Sequence, residues 1–307
     1  MSSRHFLTLA DLGREGLSHV LKRAHELKRL RGHADHPRPL AKKSVGLLME
    51  KASTRTRVSF EVGIVELGGQ VVSLAGRDLQ ISRDEPLADT AKVLSRYLHA
   101  VVMRTHGHER LTELADASTI PFVNALTDRY HPCQLLADLM TVQEHRPRSL
   151  QGLSVAWVGD GNNMAHSWIL ASALLDFELR LACPSGYQPE ASVLAQAEAL
   201  GGGSRVVTTD PVVAVVDADV VTTDVWASMG QEEEKEARKQ AFADYCVTEA
   251  LFEQAAADRL FLHCLPAHRG EEVDAAVIDG PRSVVWDEAE NRLHGQKAML
   301  EYLLAGR

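Results

Sequence analysis

The sequence predicts an α/β protein of two domains, each a parallel β-sheet flanked by helices. Short apolar runs of buried-strand type alternate with longer amphipathic runs of helical spacing, which is the pattern of βαβ crossovers. The chain has 307 residues, enough for about two domains at roughly 150 residues each. A polar, proline-interrupted stretch, His145-Arg146-Pro147-Arg148-Ser149, breaks the pattern near the middle.

Taken in order, Leu9 to Leu30 is amphipathic and predicts a helix, with Asp11 as a cap. Ser44 to Met49 predicts a strand and Arg57 to Leu67 a helix. Gln70 to Leu74 follows as strand, and Pro86 to Tyr97, with Leu87, Ala91 and Leu94 at helical spacing, as helix. Ala100 to Arg104 is a strand, Arg110 to Ala117 a helix, Pro121 to Ala125 a strand and Pro132 to Glu144 a long helix. The pattern then restarts. Leu153 to Val158, Glu178 to Ala182, Val206-Val207, Val220 to Thr223, Leu260 to His263 and Val284 to Trp286 predict strands. The expected domains are 1–147 and 148–307. A final helix over about 288–304 is expected to cross back and pack on the first domain.

In open parallel sheets, ligands bind beyond the carboxyl ends of the strands. Polar clusters follow nearly every predicted strand: Ser53 to Arg57, Arg104-Thr105-His106, Asp128 to Gln134, Asp160 to Asn163, Asp224 to Gly230 and His263 to Pro266. Two such domains with reactive loops describe an enzyme with a cleft. The densest cluster is Ser53-Thr54-Arg55-Thr56-Arg57. A strand end, a Ser/Thr turn and a helix start supply backbone donors, hydroxyls and guanidinium forks for a phosphate-like anion. An ordinary Ser/Thr helix cap beside solvated arginines reads the same five residues.

Composition narrows the function. The chain is 45% hydrophobic and 24% charged, as a protein with sizeable cores is. Its net charge of -9 and lack of a basic block argue against nucleic acid as the partner. Cys133, Cys183, Cys246 and Cys264 are scattered without a CxxC, which fits reduced thiols in the cytoplasm better than disulfides or a metal site. The first residues lack a signal-peptide core, and no apolar run reaches the roughly 18 residues of a membrane span. Val158-Gly159-Asp160-Gly161-Asn162-Asn163-Met164 begins like a dinucleotide fingerprint, but Met164 stands where the third glycine belongs.

Four stretches together resemble the aspartate/ornithine carbamoyltransferase family, over essentially the whole chain. Ser53 to Arg57 resembles the family's carbamoyl-phosphate motif, and His131-Pro132-Cys133-Gln134 its second one. Asp224-Val225-Trp226-Ala227-Ser228-Met229-Gly230 and His263-Cys264-Leu265-Pro266 are similar to the amino-acid loops of the family's ornithine branch. The resemblance implies transfer of a carbamoyl group from carbamoyl phosphate to the δ-amine of ornithine, with no cofactor and no metal. A carbamoyltransferase for putrescine or an acylated ornithine is the alternative. It also implies that domain 1–147 binds carbamoyl phosphate and domain 148–307 ornithine.

Residue roles are carried over in the same way. Ser53, Thr54, Arg55, Thr56 and Arg104 would hold the phosphate, with Arg292 as a last contact that would otherwise pass for an exposed helix arginine. His131 would polarise the carbonyl, and Gln134 with the main-chain carbonyls of Cys264 and Leu265 would meet the carbamoyl amide. Asn163, Asp224, Ser228 and Met229 would take ornithine, with Asp224 and Cys264 orienting its δ-amine. Cys264 is otherwise a small buried residue. Gln80 would reach carbamoyl phosphate in a neighbouring subunit of a homotrimer, and is otherwise a solvated loop residue. Gly230 to Lys235 reads as a mobile lid or as an acidic helix start.

Overall fold

The protein is described here by a computed structural model covering residues 5–75, 85–146, 149–227 and 234–306. The chain divides into two compact units, one of Met1–Met140 with Glu290–Arg307, the other of Thr141–Ala289.

In unit 1, α1 (Gly13–Arg29) precedes β1 (Ser44–Met49), α2 (Thr54–Glu66), β2 (Gln70–Ala75), α3 (Leu87–Tyr97), β3 (Ala100–Arg104), α4 (His108–Asp116), β4 (Phe122–Leu126) and the start of α5 (Pro132–His145). The strands are parallel in the order β2-β1-β3-β4. β1 and β3 lie centrally and are apolar on both faces, as parallel strands covered by crossover helices must be. One core cluster joins Leu48, Val101, Met103 and Phe122 of the sheet to Ala91, Leu94, Leu111 and Leu114 of α3 and α4. Phe6 exchanges backbone hydrogen bonds with Phe122 and Asn124, both 2.8 Å, and so covers the outer edge of β4.

In unit 2, β5 (Ser154–Val158), α6 (Asn163–Leu175), β6 (Glu178–Ala182), α7 (Ala191–Leu200), β7 (Ser204–Thr208), α8 (Pro211–Val215), β8 (Val220–Thr223), α9 (Lys235–Ala241), α10 (Glu249–Phe252), β9 (Leu260–His263) and α11 (Ala275–Ile278) follow. This sheet is also all parallel, in the order β7-β6-β5-β8-β9. Helix α6 is buried almost all round, so it shows no polar stripe. Among the described residues, no helix is long and apolar enough to cross a membrane.

One expected strand is a helix. Val284-Val285-Trp286 opens α12 (Val285–Ala305), which from Glu290 onward belongs to unit 1. Only Ser283 bridges to Phe261 of β9 before the chain turns helical. The apolar triplet misleads because its side chains are not buried alike: Val285 is 1% exposed and Trp286 67%. A helix start divides three consecutive residues between core and solvent in this way, and Asp287 and Glu288 in its first turn suit the helix dipole.

The rest of α12 is bound to unit 1 by buried and part-buried charged and polar groups. Arg23 meets Glu301 through two hydrogen bonds, at 2.9 and 3.1 Å. Lys28 donates to Asn291 at 2.9 Å. Lys297 has no exposed side-chain surface, pairs with Glu66 at 2.7 Å and lies 3.2 Å from His36 Nε2. A Cβ on Gly295 would sit 3.1 Å from Leu136 Cβ, so glycine there lets α12 approach α5 closely. Burial lowers the Lys297 ammonium, and Glu66 opposes that shift. Removing the acceptor alone leaves a buried charge. Glu66→Ala therefore costs about 2–3 kcal/mol. Lys297→Met costs less, because the remaining Glu66 is partly in water. Chemical denaturation of the two variants checks the ranking.

Candidate active site

Each sheet reverses its winding once. In unit 1 the reversal lies between β1 and β3, and in unit 2 between β5 and β8. Loops leaving adjacent strands in opposite directions open a crevice at their carboxyl ends. In unit 1 those ends carry Ser53 to Arg57 and Arg104. In unit 2 they carry Asp160 to Asn163 and Asp224.

In unit 1, Ser53 is the N-cap of α2, and its side chain accepts from Thr56 N at 3.2 Å. The cap reading and the anion reading thus hold together, because the same geometry aims the free N–H groups of the first turn outward. The two arginines part company. Arg57 is exposed and pairs with Glu61 at 2.9 Å along the helix surface. The residue roles carried over from the resemblance likewise leave Arg57 aside. Arg55 Nε is buried and has no hydrogen-bond partner among the described residues, so it can receive an anion oxygen.

Thr56 is fully buried, and its hydroxyl is the hub. It accepts from Arg292 Nη2 at 3.0 Å and from Arg104 Nη1 at 3.4 Å. Arg104 is brought there by an irregularity of register between Met103 and Arg104 at the end of β3, and such a break re-aims a side chain. Arg292 comes from α12 and is 3% exposed, so it is not a surface arginine. Glu50 takes Arg110 at 3.1 Å and the Thr105 hydroxyl, and its N–H donates to Arg104 O at 2.9 Å, which fastens the ends of β1 and β3 together. Lys51, unremarked in the sequence, is held below the usual ammonium range by burial and by the Arg104 charge.

His131 precedes α5 and is 4% exposed. Burial, then the charges of Arg292, Arg104 and Arg55, push its imidazole well below the ordinary value of 6.5. It is a neutral ring at pH 7, able to donate one hydrogen bond without adding charge. Gln134 N donates to His131 O at 3.1 Å, and Gln134 Nε2 to Asp138 at 2.8 Å. Cys133 between them is inert, since burial raises its thiol to about 12.

In unit 2 the centre is Asp224, 8% exposed. Its carboxylate accepts from Asn162 Nδ2 at 2.9 Å, Val225 N at 2.8 Å and Cys264 Sγ at 3.2 Å. Asp224 and Cys264, paired in the sequence reading, are thus in contact. Asn162 was missed. It caps α6 through Met164 N at 2.9 Å and Ala165 N at 3.3 Å while holding Asp224, whereas the expected Asn163 is the first helical residue. An Asn-Asn pair after a strand does not say which member is the cap.

His263 fixes the turn after β9. Its Nδ1 accepts from Leu265 N at 2.9 Å, so Nε2 carries the proton and donates to Glu272 at 3.1 Å. Asp224, His263 and Cys264 have donor atoms within 4.8 Å of one another, a spacing a metal ion could use, but both ring nitrogens of His263 are engaged. Arg238, hidden in an acidic run, is 6% exposed and donates to Asp160 at 2.8 Å, Trp226 O at 2.9 Å and Glu234 at 3.0 Å. Gln80, Ser228, Met229 and most of the suggested lid lie outside the described residues.

The incomplete dinucleotide fingerprint has a structural explanation. A Cβ on Gly161 would fall 2.3 Å from Pro189 N and 2.4 Å from the Gln188 carbonyl carbon. The glycine makes room for the chain's own backbone, so a pyrophosphate has no approach there.

Comparison with known proteins agrees with this geometry. Residues 4–144 match the aspartate/ornithine carbamoyltransferase carbamoyl-P binding domain, and residues 151–303 match the Asp/Orn binding domain of the same family. The chain is 54% identical over 303 residues to an ornithine carbamoyltransferase of Halorhodospira halophila, covering 99% of both. It is 53% identical to an anabolic ornithine carbamoyltransferase of Pseudomonas aeruginosa, covering 99% of this chain and 98% of the relative. Among solved structures it is similar to ornithine carbamoyltransferase from Pyrococcus furiosus, with TM-score 0.94, 45% identity and coverage of 100% and 98%. The anabolic enzyme from Campylobacter jejuni gives TM-score 0.93 at 39% identity, covering 99% of this chain and 100% of that one.

The buried His131 makes one pH prediction. The unfolded chain takes up a proton near pH 6.5 that the folded ring refuses. Its contribution to stability is therefore full above pH 6.5 and is lost as pH falls below it, by up to about 1.4 kcal/mol per pH unit. In an imidazole NMR titration His131 does not protonate at pH 6.5, and His131→Gln removes that slope from the pH profile of unfolding.

Proposed function

The chain belongs to the aspartate/ornithine carbamoyltransferase family, and from that premise we propose how its residues carry out the reaction. The enzyme transfers the carbamoyl group of carbamoyl phosphate to the δ-amine of L-ornithine, giving L-citrulline and phosphate. Two relatives, at 53% and 52% identity, are named anabolic enzymes, which supports a place in arginine synthesis.

The observation that carries the proposal is the shared hydroxyl of Thr56, which draws Arg104 and Arg292 together at the N-terminus of α2. A dianion there meets Arg55, Arg104, Arg292, the hydroxyls of Ser53, Thr54 and Thr56, and the first-turn N–H groups. These groups neutralise the substrate and also stabilise the departing phosphate, so they serve the transition state as well as binding. His131, neutral, donates to the carbonyl oxygen as charge develops on it, and Gln134 takes the carbamoyl NH₂. The charge-assisted contacts are the strong ones.

Ornithine is the task of the second unit. Asp224, held in place by Asn162, aligns the amine, and Cys264 at 3.2 Å adjusts that carboxylate. The amine must be neutral to attack, and a free one is mostly charged at pH 7. Attack forms the C–N bond, the C–O bond to phosphate breaks, and the amine proton ends on the phosphate. Asn163, Ser228 and Met229 are proposed to hold the α-amino and α-carboxylate groups. We further propose a cytoplasmic homotrimer in which Gln80 serves a neighbouring site, an assembly that sedimentation equilibrium reads directly.

Citrulline formation from ornithine and carbamoyl phosphate is the central test. A preference for putrescine or an acylated ornithine in the same assay would select the alternative acceptor. Arg55→Ala weakens carbamoyl-phosphate binding by about a hundredfold, since it removes at least two charge-assisted hydrogen bonds. Binding equal to the parent would refute the assignment. Cys264→Ala lowers kcat more than it weakens carbamoyl-phosphate binding, and an unchanged kcat would remove Cys264 from the mechanism.

A further inference from the structure

We propose that Asp138 is a positioning residue that sets which way round the Gln134 carboxamide stands, and thereby makes the enzyme select a carbamoyl phosphate over an acetyl phosphate. The inference rests on the reading that Gln134 meets the carbamoyl NH₂.

Gln134 and Asp138 lie one turn apart on α5, and each is 1% exposed. Gln134 Nε2 donates to Asp138 Oδ1 at 2.8 Å. A carboxamide has a donor end and an acceptor end of nearly equal shape, and its own torsion hardly distinguishes them. A carboxylate has acceptors only. Asp138 therefore takes the NH₂ end of Gln134 and leaves the oxygen at the opposite side. The Gln134 N–H bond to His131 O, 3.1 Å, holds this residue beside the ring that faces the carbonyl.

Carbamoyl phosphate and acetyl phosphate differ only in an NH₂ against a CH₃ on the same carbonyl carbon. An oxygen presented to that position gains a hydrogen bond from the first and none from the second. A reversed carboxamide would set two NH₂ groups face to face, with no acceptor between them. Buried hydrogen bonds of this kind are worth about tenfold in affinity each.

The test is the ratio of the dissociation constants for acetyl phosphate and carbamoyl phosphate, measured by calorimetry on the whole assembled enzyme without ornithine. Four proteins are compared: the parent, Asp138→Asn, Gln134→Ala and the double variant. Asp138→Asn has the same shape but can accept or donate, so both orientations of Gln134 become open. With the two orientations about equally open, its ratio is expected to fall about twofold, all of it through weaker carbamoyl-phosphate binding. Gln134→Ala is expected to lower the ratio as well, and the double variant to fall no further than Gln134→Ala alone, because Asp138 acts only through Gln134. If Asp138→Asn does not fold, Asp138→Ala is put in its place with the same expectation. An unchanged ratio in the Asp138 variant beside a lowered one in Gln134→Ala overturns the proposal and leaves the reading of Gln134 standing. Additive losses in the double variant overturn it too. An unchanged ratio in Gln134→Ala overturns the reading of Gln134 and the proposal with it.

Discussion

A parallel sheet can bind a ligand at its edge only where its crossover connections change sides, because elsewhere the loops after neighbouring strands turn the same way and fill the space. In this protein the change falls between β1 and β3 in one unit and between β5 and β8 in the other. The polar groups beside these two points follow from that. Ser53 to Thr56 leave β1 while Arg104 ends β3, and Asn162 leaves β5 while Asp224 follows β8. The central strands β3, β5 and β8 are almost wholly buried, so they fix the positions of their ends rigidly.

Placing several guanidiniums around one buried histidine has an electrostatic cost, and the structure distributes it. Thr56 offers a neutral oxygen to two of them. Arg57 is diverted to the surface by Glu61. His131 gives up its proton rather than add another positive charge, and so becomes a neutral donor. The same economy appears in unit 2 with the sign reversed: Asp160, raised by burial, is steadied by Arg238, and Asp224 is surrounded by donors from Asn162, Val225 and Cys264. Helix α12 takes part in both structure and site. Its Lys297 and Glu301 fasten it to unit 1 by ion pairs, while Arg292 reaches Thr56.

Where the sequence reading went astray, the reason was local ambiguity settled by distant contacts. Val284 to Trp286 has the composition of a strand, yet Trp286 is left in solvent and the triplet opens a helix. Of two adjacent asparagines, the cap is the one that can also reach Asp224, 62 residues away. Arg238 stands in a run that looks fully solvated, and only the fold brings Asp160 and Trp226 to it.

The sequence by itself determined the fold class, the positions of the described strands, with one further strand expected where a helix begins, and the types of chemistry available after each. Periodicity, turn residues and clustered hydroxyls and arginines are short-range properties, and short-range physics is written in consecutive residues. Only the tertiary structure decided which of those groups meet. It took Arg292 from the far end of the chain to Thr56, separated Arg57 from Arg55, turned His131 into a neutral ring and made Asn162 the partner of Asp224. Burial and pairing depend on residues tens or hundreds of positions apart, and a shifted pKa or a shared hydroxyl exists only once they are in contact.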